Sequence, residues 1–302
     1  MSKILITGGA GFIGSAVIRH LKQKNKELFV IDNLSFGNRD FIDIDDQHFF
    51  NMDILNDVEI NRIVNSIQPE IIIHLAAVHF IPYCNEHPYE SANINIQGTL
   101  NVLNAAKQAK VQKVFFASTA AVYPIYDEAV SEKHATGPLD IYGLSKLTGE
   151  HLCNEFHLQT GIPVIVCRFF NAFGPNETNP HLIPEIQKQV LAGNRKIRLG
   201  NLTPKRDFIH TFDMANAVNI LIDKVNSGIH VYNLGRGIEY AVTEIVDSFS
   251  RALGAPIEIE VDQARVRKVE RMHLLADISK LKSLGWEPTI SIDEGITTLV
   301  NE

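Results

Sequence analysis

Tyr142 and Lys146 form a pair of residues whose types and spacing are suited to proton transfer. Of the seven tyrosines in the chain, only Tyr142 is followed by a lysine four residues later. Residues four positions apart share one face of a helix, and a lysine ammonium beside a phenol lowers the pKa of the phenol. A phenol whose pKa lies near the working pH is a suitable general base. Such pairs are also common as packing pairs on helix surfaces, so the pair alone leaves both interpretations open.

Two hydroxyl residues, Ser118 and Thr119, favour the catalytic interpretation because of their place in the chain. They end a β-rich segment, in FASTAAVY, which precedes the segment that carries Tyr142. In doubly wound α/β sheets, ligands bind outside the carboxyl ends of the strands. We therefore predict that Thr119, Tyr142 and Lys146 form a hydroxyl, phenol and ammonium constellation at such a crevice.

A glycine-rich loop near the N-terminus indicates that the crevice binds a dinucleotide. Gly8, Gly9, Gly11 and Gly14 lie in TGGAGFIG, between the first predicted strand and the first predicted helix. Glycines there permit a tight turn and a close approach of the backbone to a pyrophosphate, while the helix N-terminus offers free N–H groups and a positive dipole end. The glycine pattern alone is weak evidence, but here it stands in the strand, loop and helix context that the fingerprint requires.

The acidic residue at the end of the second predicted strand indicates NAD rather than NADP. Asp32 lies 18 residues beyond Gly14. Its carboxylate can accept hydrogen bonds from a ribose hydroxyl and would repel a 2′-phosphate. Asp53 lies in NMDI, just before the helix predicted at 56–67. It could meet the adenine amino group, or it could equally be a helix N-cap or a loop acid.

The segments that position these residues alternate between strands and helices, which predicts parallel βαβ units. The runs IIIHL and VIVCRFF are apolar on both faces, as is typical of strands that helices cover on both sides. Right-handed crossovers then give a doubly wound, Rossmann-type α/β fold. The predicted strands are residues 3–7, 27–32, 70–75, 112–118 and 163–169, and the predicted helices are residues 12–25, 56–67, 93–109 and 141–160.

After about residue 170 the regular alternation of strands and helices is lost. This change predicts a smaller C-terminal lobe that is partly interwoven with the first. Residues 171–184 are rich in Asn, Pro and Gly and are predicted to form a loop. Short elements are then predicted, as helices at 182–192, 213–225 and 243–254 and strands at 197–199, 207–210, 230–234 and 257–261. We expect an NAD-binding domain over 1–170, with parts of 207–235 returning to it, and a substrate-binding lobe over 171–206 and 236–302.

Composition limits the classes of partner. The chain has 302 residues, of which 45% are hydrophobic and 21% are charged, as in an ordinary globular protein. Its net charge of −7 argues against broad binding to nucleic acid or to an anionic membrane. The longest apolar region, 71–81, is too short to span a bilayer. The N-terminus runs straight into a strand pattern without a signal peptide, so a cytoplasmic location is expected.

The three cysteines, Cys84, Cys153 and Cys167, are predicted to be small buried hydrophobic residues. Their number is odd and their spacing fits no metal motif, so neither a disulfide framework nor a cysteine metal site is expected. The histidines likewise show no metal-ligand spacing, and no metal is predicted.

Together these motifs resemble those of the extended short-chain dehydrogenase/reductase family, specifically its NAD-dependent epimerases and dehydratases of nucleotide sugars. The similarity covers nearly the whole chain in order and in spacing, and the set is specific to the family but not to one substrate. The matching segments are TGGAGFIG at 7–14, Asp32-Asn33-Leu34, Asp53-Ile54, HLAA at 74–77, NIQGT at 95–99, STAAVY at 118–123, YGLSK at 142–146, RFFNAFGP at 168–175, RDFIH at 206–210 and ADISK with LGW within 276–286.

The resemblance implies a role for each matching residue. In catalysis, Tyr142 would be the base and Thr119 would hydrogen-bond the O4 atom of the sugar. The residues implied in binding NAD are Gly8, Gly11, Phe12, Ile13 and Gly14 at the pyrophosphate, Asp32 at the adenosine ribose with Asn33 beside it, Asp53 and Ile54 at the adenine, Leu75, Ala76 and Ala77 along the cofactor path, Asn95 in support, Lys146 at the nicotinamide ribose, Phe169 beside the nicotinamide, and Ser118.

For the nucleotide sugar, the resemblance implies Asn171, Arg206 and Arg267, which would meet the diphosphate. An arginine fork pairs bidentately with phosphate oxygens, although Asn171 could be a turn residue and the arginines solvated surface charges. The segment RVRKVER around Arg267 departs from the usual pattern of the family, which contains Pro and Gly. His79, just beyond a strand end, could meet the sugar or belong to a packed loop. His181 stands where many epimerases have an asparagine, a departure that bears on the identity of the sugar.

The residue two positions after Thr119 favours epimerisation at C4. Members that resemble 4,6-dehydratases and decarboxylases usually carry an acid there, whereas this chain has Ala121. The simplest remaining reaction removes the O4 proton to Tyr142 and a hydride from C4 to NAD, turns the 4-keto sugar over, and returns the hydride to its other face. The segment LGNLTPKRDF at 199–208 resembles that of some dehydratases and favours the alternative.

Two rival functions and one assembly are compatible with the same residues. A keto-sugar reductase would keep them but consume free cofactor, whereas a non-catalytic NAD-binding sensor or scaffold typically loses the Tyr/Lys pair that this chain keeps. The helices predicted at 93–109 and 141–160 carry apolar residues on more than one face. This suits the four-helix-bundle homodimer that is common among relatives, or deeper burial within one chain.

Overall fold

The computed structural model describes residues 2–265 and 271–301. Its strands are β1 (Lys3–Thr7), β2 (Glu27–Asp32), β3 (Phe49–Asn51), β4 (Ile71–His74), β5 (Lys113–Thr119), β6 (Val164–Phe169), β7 (Asn171–Phe173), β8 (Lys196–Leu199), β9 (Lys205–His210), β10 (Ile229–Leu234), β11 (Glu239–Ala241) and β12 (Glu258–Val261). Its helices are α1 (Phe12–Lys22), α2 (Asp57–Ile67), α3 (Ile81–Glu86), α4 (Pro88–Ala92), α5 (Gly98–Gln108), α6 (Ile141–Thr160), α7 (Leu182–Leu191), α8 (Thr211–Lys224), α9 (Val242–Leu253), α10 (Ser279–Lys282) and α11 (Ile292–Asn301).

Seven strands form one parallel sheet in the order β10-β6-β5-β4-β1-β2-β3. The chain builds outward from β1 to β3, then returns to the other side of β1 and builds outward again from β4. The strand order therefore reverses between β1 and β4, which is where doubly wound sheets open a ligand crevice. The doubly wound α/β prediction is confirmed.

The alternation of side chains along the strands explains why both faces of this sheet are covered. Ile4 and Ile6 of β1 pack into one apolar cluster, while Leu5 between them packs into the cluster on the opposite face. Phe115 and Phe116 of β5 divide in the same way. Since successive side chains point to opposite faces of a strand, a run without polar residues requires helices on both sides, as the sequence indicated.

Two helix ends are important for the site. Among the described residues, no side chain caps the N-terminus of α1 at Gly11, so its first N–H groups face the crevice. In contrast, the N-terminus of α6 is capped by Asp140, whose carboxylate accepts a hydrogen bond from the Gly143 N–H at 2.7 Å. This cap fixes where α6 begins, and therefore where Tyr142 stands in its first turn.

The second lobe is built from two small sheets. One has the order β11-β9-β7 and the other pairs β12 with β8. Helices α7, α9 and α11 cover a separate apolar cluster that contains Phe173, Ile245 and Ile296. Between the two stretches that form this lobe, α8 packs against α1 and β10 completes the edge of the large sheet.

The observed secondary structure differs from the predicted one mainly at short elements and at one change of helix type. Residues 171–173, predicted as loop, form β7 because they pair with β9. The helix predicted at 93–109 begins as a π-helical turn, Asn93–Gln97, and becomes α-helical at Gly98. Helices α3 and α4 were not predicted, although each has a proline in its first turn, where its missing N–H costs nothing. Helix α11 was not predicted either.

Candidate active site

A cavity of about 840 Å³ runs along the carboxyl ends of the central strands and reaches into the second lobe. Its volume is that of a site for a sizeable small molecule. The residues of the predicted site that line it are Gly8, Gly11, Phe12, Ile13, Gly14, Asp32, Asn33, Asp53, Ile54, Leu75, Ala76, Ala77, His79, Ser118, Thr119, Tyr142, Lys146, Phe169, Asn171, His181 and Arg206. Asn95 lies beside the cavity, and Arg267 lies outside the described residues.

The glycine loop forms one end of the cavity and has no room for side chains. Gly8 has a φ of +73°, and a Cβ atom there would lie 2.6 Å from the backbone nitrogen of Ala76. At Gly14 a Cβ would run into the carbonyl oxygen of Gly8. The loop therefore presents bare backbone beside the uncapped N-terminus of α1, which is an anion-binding arrangement.

Asp32 lies at the end of β2, beside this loop. Its Oδ2 accepts a hydrogen bond from the Ala10 N–H at 2.9 Å, and its Oδ1 accepts one from the Leu34 N–H at 2.8 Å. Burial raises the pKa of this carboxyl above its usual value, and the two backbone N–H groups act against that shift. Each oxygen keeps a lone pair for a further donor. The bare glycine cradle, the free helix end and this carboxylate together fit the pyrophosphate and ribose of NAD.

Asp53 is a loop acid that also lies in the cavity lining. Its Oδ1 accepts the Leu55 N–H at 2.8 Å, as a loop acid does, and its Oδ2 accepts the Asn33 side-chain amide at 2.9 Å. The N-cap of α2 is Asn56 instead, whose side chain accepts the Glu59 N–H. Asp53 nevertheless lines the cavity beside Ile54, so it remains available to an adenine ring.

Asn95 supports one wall of the cavity through the hydrogen bonds of its side-chain amide. The Asn95 amide accepts a hydrogen bond from the Val78 N–H at 2.8 Å and donates to the Val78 carbonyl at 2.9 Å. It also donates to the Ser145 hydroxyl at 2.9 Å. One buried amide therefore joins the segment after β4, which carries Leu75 to Ala77, to the helix that carries Tyr142.

Thr119, Tyr142 and Lys146 all line the cavity, where β5 ends and α6 begins. Burial raises the pKa of Tyr142 above its usual value, and a hydrogen bond with Thr119 acts against that shift. The ammonium of Lys146 lies 4.3 Å from the centre of the Phe116 ring, and burial lowers its pKa to about 8. In the protein alone, therefore, the pKa of Tyr142 is raised by burial, opposite to the direction expected from the pair, and the group that lowers it is Thr119.

The hydroxyl of Ser118 belongs to a buried hydrogen-bond network. Its hydroxyl donates to Glu150, which also accepts two hydrogen bonds from the Arg168 guanidinium, at 2.9 and 2.7 Å. Arg168 donates in turn to the Tyr123 hydroxyl at 2.8 Å. This buried network joins the ends of β5 and β6 to α6 one turn after Lys146. Sequence reasoning missed Glu150 and Arg168, although an acid four residues after Lys146 was a visible signal.

His79 and His181 lie together on the wall that faces the second lobe, with ring centres 6.1 Å apart. The Nε2 atom of His79 is 3.1 Å from the Asn179 amide nitrogen, and burial lowers the pKa of His79 to about 4. The Nδ1 atom of His181 is 3.4 Å from the carboxylate of Glu177, whose side chain is only 5% exposed. Glu177 and Asn179, which sequence reasoning missed, belong to the ETNPH run that was assigned to a loop.

Arg206 at the start of β9 meets Arg271 at the far end of the cavity. Its guanidinium donates to the Arg271 carbonyl at 2.7 Å, and the Arg271 guanidinium donates to the Tyr123 carbonyl at 2.7 Å. Burial, followed by the charge of Arg206, lowers the pKa of Arg271 from its usual value. Arg271 was not predicted as a site residue, because the family resemblance pointed to Arg267 in the same charged segment. Two adjacent cations suit a diphosphate.

Comparison with known proteins agrees with this geometry. Residues 4–235 match the model of the NAD dependent epimerase/dehydratase family. A putative UDP-glucose 4-epimerase of Methanocaldococcus jannaschii is 33% identical over 99% of this chain and 97% of its own length. This chain belongs to the NAD dependent epimerase/dehydratase family. The resemblance noted from the sequence motifs is confirmed, and so is the NAD-dependent class of enzyme.

Solved structures of the family agree over almost the entire fold. The UDP-glucose 4-epimerase of Thermus thermophilus, crystallised with NAD, covers 99% of this chain with a TM-score of 0.90 at 27% identity, and this chain covers 98% of it. A dTDP-glucose 4,6-dehydratase of Streptomyces venezuelae, with NAD and TYD bound, covers 99% with a TM-score of 0.88 at 27% identity, and 96% of it is covered. Fold similarity therefore extends to both reaction types, and the residues of the cavity must separate them.

Ala121 stands two residues after Thr119, where the resemblance implied an acid in dehydratases. It lies in a single 3₁₀ turn, Ala120–Val122, where its N–H donates to the Thr119 hydroxyl oxygen at 3.1 Å. Ala121 lines the cavity but brings only a methyl group to it. Beside the Thr119–Tyr142 pair, this position therefore offers no acid for a second proton transfer.

Two further expectations concern cysteines and membranes. Cys84, Cys153 and Cys167 are all buried and unpaired, as predicted. Within residues 2–265 and 271–301, no helix is both long and apolar enough to cross a membrane.

Proposed function

We propose that this protein inverts the configuration at C4 of a nucleotide-diphosphate sugar through a transient 4-keto intermediate. The observation that carries the proposal is that Thr119, Tyr142 and Lys146 line the same cavity as the glycine loop and two arginines. The family to which this chain belongs is named for NAD dependent epimerases and dehydratases. Ala121, in place of an acid, favours the epimerases.

Tyr142 is the proposed acid and base. As the phenolate it accepts the O4 proton of the sugar and becomes the phenol, which later returns that proton to O4, while the Thr119 hydroxyl orients O4 through a hydrogen bond. Bound NAD would take a hydride from C4 and return it, and its oxidised ring would add a positive charge near the phenol. Lys146 holds the nicotinamide ribose and, with that charge, opposes the burial that raises the pKa of Tyr142.

The cofactor contacts are proposed as the motifs implied them. The glycine loop binds the pyrophosphate, Asp32 the adenosine ribose and Asp53 the adenine. Phe169 packs against the nicotinamide. Asn95 supports the cavity wall through hydrogen bonds to Val78 and Ser145, and Ser118 lines the cavity while its hydroxyl donates to Glu150.

The second lobe is proposed to bind the nucleotide sugar. In this division, residues 1–170 with parts of 207–235 hold NAD, and residues 171–206 with 236–302 hold the substrate. Asn171, Arg206 and Arg271 would meet the diphosphate, supported by their place in the cavity lining. Arg267 stays a candidate on sequence grounds alone. A UDP sugar is the proposed substrate class, because the relative in Methanocaldococcus jannaschii and the Thermus structure are named for UDP-glucose.

A 4,6-dehydratase is the second candidate. Two observations favour it: the segment LGNLTPKRDF at 199–208, and the buried Glu177 carboxylate on the cavity wall. In a dehydratase, Glu177 would replace the acid that is missing at position 121.

A homodimer in the cytoplasm is also proposed. Helices α5 and α6 pack side by side and leave Leu100, Leu144 and Leu158 exposed on their outer surface. An apolar outer surface on two long neighbouring helices supports a four-helix interface between copies. Three buried, unpaired cysteines are in keeping with a reducing compartment.

The decisive test incubates the protein with UDP-glucose, UDP-N-acetylglucosamine, dTDP-glucose and GDP-mannose, without added cofactor, and follows the sugars by proton NMR. We expect a C4 epimer of one sugar. Tyr142→Phe should lower turnover by about 10²- to 10⁴-fold while NAD stays bound, and Tyr89→Phe, at a tyrosine that is 87% exposed, should leave it unchanged. A 4-keto-6-deoxy product without an epimer would establish the dehydratase instead.

A further inference from the structure

Residues 174–181, which we call the strap, lead from β7 to α7 along the open edge of the cavity. The strap begins with two unusual backbone conformations, at Gly174 (φ +150°) and Asn176 (φ +69°). Both φ values are positive, a region that side chains other than those of Gly, Asn and Asp seldom adopt. The strap therefore leaves the second lobe by a specific turn, and Glu177, Thr178, Pro180 and His181 of the strap line the cavity.

Three side chains of the strap form hydrogen bonds to three different segments of the NAD-binding part. The Asn176 amide donates to the Ser15 hydroxyl at 3.2 Å, at the start of α1. The Thr178 hydroxyl donates to the Phe36 carbonyl at 3.3 Å, in the loop after β2. The Asn179 amide donates to the Nε2 atom of His79 at 3.1 Å, in the segment after β4.

The Asn179–His79 hydrogen bond joins a buried asparagine to an imidazole that lines the cavity. Asn179 is 7% exposed. Because Nε2 of His79 accepts, the imidazole carries its proton on Nδ1 and is neutral. Burial, with the nearby His181 as a second cause, lowers the pKa of His79 to about 4, which agrees with that state at neutral pH. Inside the strap, Glu177 accepts the Asn179 N–H at 3.0 Å and holds the asparagine in place.

The three anchor points follow β1, β2 and β4, the strands whose ends flank the dinucleotide end of the cavity. Ser15 follows the glycine loop, Phe36 follows Asp32, and His79 follows Leu75 to Ala77. A ligand lying on the glycine loop and on Asp32 would thus be enclosed between the sheet edge and the strap. We propose that the strap retains NAD through turnover, and that the Asn179–His79 hydrogen bond is its main latch.

Such retention fits the chemistry of an epimerase, in which the cofactor is restored in each cycle and need not leave. The inference rests on the proposed function only in placing NAD at the glycine loop, and not on which sugar reacts. It gives His79 a positioning role, in place of the contact with the sugar that its sequence suggested. The strap must open for NAD to leave, so breaking the latch should speed release more than it alters chemistry.

The test measures the release of NAD from the purified holoenzyme, with alcohol dehydrogenase and ethanol present to reduce each molecule that dissociates. Asn179→Ala and His79→Leu should each release NAD about tenfold faster, the change expected for the loss of one buried hydrogen bond. The double variant should be no faster than the faster single variant, because both changes remove the same bond. Asn179→Asp, whose carboxylate can accept from His79, should restore slow release.

Asn219→Ala is the matched control, since Asn219 is a buried asparagine of α8 away from the cavity lining. It should leave release unchanged. Thr178→Val, which removes a strap hydroxyl with little change of shape, gives a second variant that is expected to fold and to release NAD faster. Release as slow as that of the wild-type protein in Asn179→Ala, His79→Leu and Thr178→Val would overturn the inference.

A fall in turnover at saturating NAD, with unchanged release, would also overturn it and would place His79 at the sugar. Faster release from variants of a protein that converts none of the sugars would support the strap and count against the proposed epimerase. A wild-type protein that binds no NAD would overturn both.

Discussion

Lys146 is a cation that the fold holds almost entirely out of water, at 3% exposure. The groups around it are the Phe116 ring, Glu150 one turn further along α6, and the neutral His74 at the end of β4. Burial lowers the pKa of His74 to about 3, and its two ring nitrogens are held by Thr7 and Thr99 at 2.6 and 3.0 Å. A neutral His74 adds no second positive charge beside Lys146, so desolvation is the main cost to the ammonium here.

The pKa of Lys146 makes NAD binding sensitive to alkaline pH. Burial lowers this pKa from 10.5 to about 8, so Lys146 is charged below pH 8 and loses its proton as the pH rises through that value. If the ammonium binds the nicotinamide ribose, the affinity of the free protein for NAD should fall between pH 7 and pH 9. Isothermal titration across this range measures the fall directly.

The control for this prediction is Lys146→Arg. A guanidinium keeps its charge throughout this pH range, so the variant should show no alkaline loss of affinity, whatever its affinity at pH 7. A wild-type affinity that is constant from pH 7 to pH 9 would contradict the role assigned to Lys146.

Some residue roles could be predicted from the sequence, and others could not. Tyr142, Lys146 and Thr119 were predictable because helical spacing and the end of a strand place them without knowledge of distant parts of the chain. Glu150 and Arg168 were missed because their pairing joins α6 to β6, and only the folded sheet brings them together. The raised pKa of Tyr142 was missed for a related reason, since the sequence shows charges but not burial.

At the scale of elements, the turn from β1 to α1 requires glycine for two reasons. Gly8 needs a positive φ, and it also needs the space that a Cβ would take from the backbone of Ala76. A positive φ costs an L-residue about 1–2 kcal/mol, whereas a clash with backbone atoms forces the loop or β4 to move. The second effect should therefore dominate at this position.

Gly8→Ala should abolish NAD binding because it displaces the loop that holds the pyrophosphate. Gly161→Ala is a closely matched control, since Gly161 has a φ of +72° and a Cβ there would meet nothing within 4 Å. It should cost about 1–2 kcal/mol of stability and leave NAD binding intact. Urea unfolding and the amount of NAD that copurifies separate the two effects, and equal loss of NAD in both variants would refute this account of Gly8.

The elements that the sequence predicted well are those whose burial is the same along their whole length. Strands β1, β4, β5 and β6 are apolar on both faces, and their apolar runs marked them. Strand β7 was missed because three residues, NAF, give no period, and only pairing with β9 makes them a strand. The strap was assigned to a loop, and its function depends on hydrogen bonds to residues as far away in sequence as Ser15.

At the scale of the whole molecule, the chain crosses between its two parts several times. It leaves the large sheet after β6, returns with α8 and β10, and leaves again at β11. The cavity lies between these crossings, so both parts contribute to its wall. An association of two copies through the exposed Leu100, Leu144 and Leu158 of α5 and α6 would leave this cavity free, because none of these leucines lines it.

The proposed dimer can therefore be tested without disturbing the site. Leu144 is 50% exposed and lies on α6 two residues after Tyr142, yet the hydrogen bond that caps this helix comes from Asp140 and does not depend on it. Leu144→Glu should convert a dimer to a monomer in light scattering after size exclusion, because a charge would be buried at the interface. The variant should still copurify with NAD.

Leu191→Glu makes the same change at a leucine that is 56% exposed at the end of α7, in the second lobe. It should stay dimeric. If both variants stay dimeric, the copies meet through another surface. If the wild-type protein is a monomer, then the exposed leucines of α5 and α6 need a different explanation. A dimer that only Leu144→Glu dissociates would place the interface on α6, beside the helix turn that carries the proposed base.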